Sequence, residues 1–500
     1  MTTANRPNLI FIITDQQRAD TIRAWGHSHM VTPAMDKLCK DGRSFRQAFC
    51  PGATCVASRA AIFTGMYPHT TGVYSFDAWA GHRSWVEDLA DAGYRCINIG
   101  KMHITPQSEN GGFHERIIVE NPTNKELING GADDDWGRYL THHGESRPND
   151  RHETDSDWID KVQGVPWHLE ERFHSDVFIG DAAVSWIRSH RGDDPLFLQI
   201  GFAGPHEPWD PLPRHLELYH GVQLPDPVFR ESELDSKPPQ HQAHHRTHAE
   251  ADHESRIDVQ NTSPEQIDHM RRHYYAKITT VDEQIGRVLE ALDERGWRDN
   301  SLLVFCSDHG ELLGDHNLAY KWLMYDAITR VPLVVCDRRE GADSQGGGVC
   351  DELVSLIDLG PTFLEAAGID RPDYLEGCSL LPCSNSGRYS RDRVYAEDNY
   401  QIMMRTHDLK IVYYIGQELG ELYNLSEDPD ELWNLWEDPA HRETRDRLLR
   451  ELLDWLASST YWNAGYRRDR SANYRMRWPA PDDPYLHGRY SRPRKRQADL

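Results

Sequence analysis

Residues 54–65 read Thr-Cys-Val-Ala-Ser-Arg-Ala-Ala-Ile-Phe-Thr-Gly, which sets a thiol, Cys55, and a guanidinium, Arg59, four positions apart. A cysteine where a loop enters a helix meets the positive end of the helix dipole. A nearby cation adds to that field, and both favour the thiolate. Ser58 offers a cap, Ala60, Ala61 and Ile62 are apolar, and Gly65 offers a stop. Arg59 then lies one turn from Cys55 and faces the same site. Taken alone, the pair also fits a buried structural cysteine beside a surface arginine, so the rest of the chain has to decide.

Four other polar groups follow apolar runs directly. Leu9–Ile13 leads into Thr14-Asp15-Gln16-Gln17-Arg18. A carboxylate there can bind a hard cation through oxygen, or cap a helix. Leu302–Cys306 leads into Ser307-Asp308-His309-Gly310-Glu311, where Asp308 and His309 offer oxygen and imidazole at one turn and Gly310 permits close backbone approach. Tyr94–Ile99 leads into Gly100-Lys101-Met102-His103, a lysine and histidine that suit an anion or form an ordinary surface pair. Leu196–Phe202 leads into Gly204-Pro205-His206-Glu207-Pro208. In open α/β sheets the ligand site lies at the carboxyl ends of the strands, so four such ends make one candidate site.

The elements that must position these groups are legible from periodicity. Continuous apolar runs such as Leu9–Ile13 suit strands buried on both faces. Thr32-Pro33 opens a helix through Lys40, with Thr32 as cap. Further helices are expected over Ser84–Ala92, Val177–Ser189, Ser263-Pro264 to Glu294 and Asp358–Ala367, and another strand over Pro332–Cys336. The alternation predicts an α/β fold: a large, mostly parallel sheet covered by helices on both sides. Beyond about residue 386 the pattern becomes short strands at Val394–Glu397, Ile402–Arg405, Lys410–Tyr414 and Glu421–Asn424, then a helix from Glu443 to Ala457. That predicts a small C-terminal antiparallel sheet with a helix packed on it. The expected divisions are 1–385 catalytic, 386–460 C-terminal subdomain and 461–500 a basic aromatic tail. Residues 236–256 hold five histidines and are expected to form a solvated lid or insertion loop.

Cys55-Val56-Ala57-Ser58-Arg59 resembles the Cys-x-Pro-Ser-Arg signature of type I, formylglycine-dependent sulfatases of the alkaline phosphatase superfamily, with Ala57 in the proline position. The four strand ends match that family's other motifs in order, and Leu313-Gly314-Asp315-His316, Lys321 and Arg330-Val331-Pro332-Leu333 extend the match; together it covers about residues 6–455. The resemblance implies that a maturation enzyme oxidises Cys55 to formylglycine, whose hydrate attacks sulfur. It implies one divalent cation, Ca2+ or Mn2+, held by Asp15, Asp308, His309 and residue 55, with Gln16 as a weaker ligand or an outer contact. Arg59 would stabilise the hydrate. Lys101, His103, His206 and Lys321 would bind sulfate, with His206 as the acid and His103 helping to break down the sulfated intermediate. Moving an SO3 group between two oxygens is mainly positioning and charge neutralisation, as in phosphoryl transfer, with a histidine near neutral pKa protonating the departing alkoxide.

Composition bounds the rest. A formal charge of −25 argues against general nucleic-acid binding, and no run approaches the ~20 apolar residues of a membrane span. The nine cysteines show no metal-type Cys-x-x-Cys spacing, which fits reduced thiols, and the short polar start Met1–Asn8 is not a secretory leader; the expectation is a cytoplasmic enzyme. Residues 461–500 carry ten Arg or Lys against four Asp, interleaved with aromatics, leaving −31 for residues 1–460. A basic arm of that kind is expected to dock on a neighbouring subunit of a homo-oligomer, a dimer or tetramer. Trp79, His82, Trp136, Trp167 and Trp209 fall in loops and could line an apolar or sugar-binding rim, or simply pack. Two other functions stay open: a phosphonate monoester or phosphodiester hydrolase using the same formylglycine, to which Asp15-Gln16 points, and an inactive protein that binds sulfated ligands.

Overall fold

The computed structural model describes residues 6–120, 131–148, 162–251, 256–342, 346–381 and 391–462. Among the described residues fifteen strands follow in chain order: β1 Asn8–Asp15, β2 Arg43–Phe45, β3 Ala48–Phe49, β4 Arg95–Gly100, β5 Glu115–Ile118, β6 Leu196–Pro205, β7 Ser301–Ser307, β8 Arg330–Val331, β9 Leu333–Asp337, β10 Gly348–Cys350, β11 Val354–Ser355, β12 Val394–Asp398, β13 Gln401–Arg405, β14 Leu409–Tyr414 and β15 Glu421–Asn424. Eight of them make the main sheet in the order β10-β2-β9-β7-β1-β6-β4-β5, and β12 to β15 make a four-stranded antiparallel sheet. In the main sheet only β9 runs against its neighbours. This is the expected α/β architecture with its small C-terminal sheet.

The central strand explains the layering. Along β1, Ile10 and Ile12 enter one apolar cluster with the helices Ser175–Ser189 and Pro264–Glu294, while Leu9, Phe11 and Ile13 enter the opposite one with Cys55–Thr64 and Leu359–Ala366. Alternate side chains on a strand point to opposite faces, so an unbroken apolar run is what a sheet covered on both sides requires. The long Pro264–Glu294 helix starts on a reciprocal capping box between Ser263 and Gln266.

Several local expectations are corrected. Thr32 occupies the cap position of the Pro33–Asp41 helix, but its hydroxyl accepts from Arg23 N; Asp282, on the long helix, accepts from the first-turn Ala34 and Met35 amides instead. Ser58 is not a cap. The helix begins at Cys55, and the Ser58 hydroxyl donates to the Asp308 carbonyl at 2.6 Å. The third sheet, β11-β3-β8, has two-residue strands that no periodicity could reveal. The histidine-rich stretch is not a solvated loop. It forms the helix Pro239–Arg246 and a π turn over Thr247–Ala251, with His241 and His248 buried. Trp79, His82, Trp136, Trp167 and Trp209 are all buried, so they pack rather than line a rim. Of the basic tail expected over 461–500, residues 463–500 lie outside the described residues, and so does the end of the catalytic division at 385.

The second sheet is tied to the segment between β7 and β8 by buried charge. Lys410 on β14 is fully buried and reaches Asp326 Oδ1 at 2.5 Å, Glu431 Oε1 at 2.6 Å and the Met324 carbonyl at 2.9 Å. Breaking a buried ion cluster on one side leaves its other charges uncompensated. Lys410→Met is therefore expected to destabilise the protein by about 3–5 kcal/mol, read as a lower denaturant midpoint. A loss below about 1 kcal/mol, the scale of an exposed pair, would show that the cluster does not hold the second sheet to that segment.

Candidate active site

β1 and β7 are parallel and in register, with Thr14 opposite Ser307, so their next residues, Asp15 and Asp308, emerge side by side. β6 flanks β1, with Asp15 opposite Pro205, which brings His206 to the same edge. β4 follows, and Lys101 turns off its end. That turn needs glycine on both strands: Gly100 has φ +96°, and a Cβ there would sit 2.0 Å from the Gly201 carbonyl oxygen. The four strand ends singled out in the sequence thus line one edge of the sheet, and the Cys55–Thr64 helix brings its first turn to them.

Arg59 clamps this edge. Its Nε donates to Asp308 Oδ2 at 2.7 Å, Nη2 to Asp15 Oδ2 at 3.2 Å and Nη1 to the Lys101 carbonyl at 3.0 Å, all fully buried. Burial alone would weaken its charge, but Asp308 and Asp15 raise its pKa instead. Lys101 Nζ adds an ion pair to Asp15 Oδ2 at 3.0 Å. Burial would raise the Asp15 pKa, yet the cations around it, Lys101 first, hold it well below the usual carboxylate range.

The outward atoms of the same residues are unsatisfied. Asp15 Oδ1 and His309 Nε2 are buried without a hydrogen-bond partner, 3.9 Å apart, and His309 Nε2 lies 3.8 Å from Asp308 Oδ1. One ligand atom from each of Asp15, Asp308 and His309 falls within 4.8 Å of the others. Buried polar atoms without partners are costly, and a divalent cation between them removes that cost. His309 Nδ1 faces the Gly310 carbonyl at 2.8 Å, which leaves Nε2 as the coordinating nitrogen. Burial opposes charge on this ring, but Asp308 and the Cys55 thiol raise its pKa, so positive charge is favoured there. The donor set of carboxylate oxygens and one imidazole fits a hard or borderline cation.

Gln16 stands beside this group with its amide engaged elsewhere. Its Nε2 donates to Glu207 at 2.7 Å and Glu311 at 2.5 Å, and its Oε1 accepts from Lys321 Nζ at 2.6 Å. Burial and the nearby Glu207 already push Glu311 up to about 7, so a further carboxylate at position 16 would be repelled where an amide bridges. Glu207 and Glu311 were not singled out in the sequence. Glu207 is adjacent to His206 and Glu311 follows Gly310, but neither stands in a spacing that signals a bridge.

Lys321 also donates to His206 Nε2 at 2.9 Å, while His206 Nδ1 faces the Glu207 carbonyl at 2.8 Å. Burial, opposed by Glu207 and aided by Lys321 and Lys101, pushes His206 down to about 3. Burial and Lys101 push His103 down to about 4. Neither ring is the near-neutral acid that the sequence suggested; both are uncharged bases in the ligand-free protein. Every residue expected at the site, Asp15, Gln16, Cys55, Arg59, Lys101, His103, His206, Asp308, His309 and Lys321, belongs to this strand-end cluster or the loops bordering it.

Comparison with known proteins agrees with the architecture. A family model described as sulfatase matches residues 7–369, and a second, described as N-sulphoglucosamine sulphohydrolase, C-terminal, matches residues 314–458. The chain belongs to the sulfatase family of the alkaline phosphatase superfamily, a family of sulfuric ester hydrolases. It is 28% identical to an arylsulfatase of Clostridium perfringens over 79% of this chain and 82% of that protein. It is 29% identical to the multifunctional alkaline phosphatase superfamily protein PehA of Trinickia caryophylli, over 77% and 78% of the two chains. The fold superposes on a phosphonate monoester hydrolase of Agrobacterium radiobacter with a TM-score of 0.78 at 23% identity, covering 91% of this chain and 96% of the other.

Proposed function

We propose that the protein hydrolyses a sulfate monoester to an alcohol and inorganic sulfate, with residue 55 matured from cysteine to formylglycine and one Ca2+ or Mn2+ held by Asp15, Asp308 and His309. The observation that carries this reading is the cationic cage around Cys55. Arg59, Lys101 and Lys321 converge on the strand ends beside Cys55, where an anion's charge would be neutralised, and His309 touches the thiol. When bound, the aldehyde hydrate supplies the attacking hydroxyl and the cation polarises a sulfate oxygen.

The chain's own residues do the rest. Lys101 and Lys321 take the peripheral sulfate oxygens. Lys321 already donates to His206 Nε2, so these two share the proton that the departing oxygen needs. His103 is uncharged and has a buried Nδ1 without a partner, which suits it to accept a proton from the side chain of residue 55. Its position is fixed by Glu120, which accepts from the His103 amide at 2.9 Å, and by Trp79 Nε1, which donates to its carbonyl at 2.8 Å.

One observation favours a second reading. The amide at Gln16 lowers the negative charge beside the cation site, the departure that points to phosphonate monoesters or phosphodiesters. Paired kinetics decide. The matured, metal-loaded enzyme is expected to show a kcat/KM for an aryl sulfate at least about tenfold above that for the matching aryl phosphonate, a 1.4 kcal/mol preference. The reverse order would replace the sulfatase reading by the phosphonate one, and no turnover of either by matured protein would leave the binding-protein reading.

A further inference from the structure

Phe76 is a large apolar side chain that the fold leaves in water, 58% exposed, although most aromatic rings of the catalytic domain are buried. Its place explains the exposure. Its ring centre lies 6.3 Å from the His103 ring and 6.3 Å from the Trp322 ring, tilted by 55° and 56°. His103 borders the Lys101 side of the sulfate cage, and Trp322 follows Lys321 on the other side. The two aromatic rings therefore form a continuous wall across the mouth of the cage.

Trp322 is held in this position at a conformational cost. Its backbone has φ +73° and Tyr320 has φ +67°, both in the left-handed region that bulky residues avoid. The strain is fixed from three sides. The Trp322 amide donates to the Ala53 carbonyl at 3.0 Å, beside the nucleophile's loop, and Gln401 of the second sheet donates to the Trp322 carbonyl at 2.9 Å. The histidine-rich helix supplies the third support: His248 stacks on the indole at 5.0 Å and 27°, and His244 Nε2 faces the Lys321 carbonyl at 2.8 Å. A partly exposed indole over-determined in this way, next to an aromatic ring left open, is a preorganised flat apolar surface.

Given an ester hydrolase at this site, we propose that Phe76 and Trp322 form the leaving-group subsite and that the group they select is a planar aromatic alcohol. Sulfate oxygens need the cations deeper in the cage, so the ester's organic substituent must leave through the mouth, against the wall. A flat aryl group gains tilted or offset contacts with both rings there. A short alkyl group reaches neither well. Phe76 is a specificity residue and takes no part in bond breaking; Trp322 places both the wall and the Lys321 turn.

The test uses the matured, metal-loaded full-length enzyme and the variants Phe76→Ala and Phe76→Tyr. The ratio of kcat/KM for 2-naphthyl sulfate to that for ethyl sulfate is expected to fall about tenfold in Phe76→Ala, chiefly through KM, and to recover in Phe76→Tyr, which keeps the ring. Binding of 2-naphthalenesulfonate relative to ethanesulfonate, measured by calorimetry, is expected to fall by a similar factor and needs no turnover. An unchanged ratio in both measurements overturns the proposal. So does a loss confined to glucosamine 6-sulfate with the aryl ratio intact, which would make the wall a sugar platform. Failure of the sulfatase reading is seen separately, as turnover of phenyl phosphonate esters in place of sulfates by the wild type; the sulfonate binding ratio still decides the subsite.

Discussion

Cys55→Ala is expected to abolish ester hydrolysis, lowering kcat by about 10^4–10^6-fold, the range seen when a covalent nucleophile is removed. Cys55→Ser should be nearly as inactive when the maturation enzyme accepts only a thiol, and should keep activity only where that enzyme also oxidises a primary alcohol to the same aldehyde. The surroundings of Cys55 set it apart from the other described thiols. Cys55 starts the helix that carries Arg59, is 1% exposed, and touches His309 of the cation group. Among the described residues, Cys50 and Cys306 are the neighbouring buried thiols, and burial pushes both well above the usual thiol range, which holds them protonated at neutral pH. Mass spectrometry of the peptide bearing residue 55 should show an aldehyde that reacts with a hydrazide. Because the side chain is buried, conversion is expected only when the maturation enzyme meets the chain before it folds; adding that enzyme to folded protein should leave the thiol. A fully active preparation with only free thiol at Cys55 rules the mechanism out.

The strand-end groups of the candidate site were legible because a parallel sheet turns sequence order into spatial order. Asp15, Lys101, His206 and Asp308 each follow an apolar run, and parallel strands put those run ends on one edge. The same logic fails where contacts are made by side chains alone. Gln16 read as a weakened ligand, but its role as a bridge between Lys321, Glu207 and Glu311 depends on three segments far apart in the chain. The histidine-rich stretch looked solvated because its composition is polar, yet its imidazoles pack on Tyr320 and Trp322 and one of them, His241, pairs with Glu421. Phe76 and Trp322 carried no spacing signal at all: one is an isolated aromatic in a loop, the other a neighbour of a lysine singled out for its charge. Buried networks such as Lys410 with Asp326 and Glu431 are equally silent, since charged residues at those positions read as an exposed face.

His309→Ala is the sharpest test of the cation site. It is expected to release the bound metal and to lower kcat by at least about 10^3-fold, since the cation's charge stabilisation is worth several kcal/mol. The fold should survive, because the ring's Nδ1 bonds only to the carbonyl of the next residue and its remaining contact is with the Cys55 thiol rather than with a structural element elsewhere. Asp308→Ala makes the contrast. It should be just as inactive, but it also removes the main counter-ion of Arg59 and the acceptor for the Gln16 and His309 amides, at 3.0 and 2.8 Å. Leaving a buried guanidinium half-paired costs about 3–5 kcal/mol, so this variant should unfold at a clearly lower denaturant concentration, whereas His309→Ala should not. Metal content measured on the purified proteins, together with denaturant midpoints in chelator, separates the two effects. In chelator, wild type and His309→Ala should differ little in stability; with Ca2+ or Mn2+ added back, only the wild type should gain it, by the linkage of binding to folding. If activity persists after the metal has been stripped to background, the cation is not catalytic, and the unpartnered oxygen of Asp15 beside His309 must be satisfied by water instead.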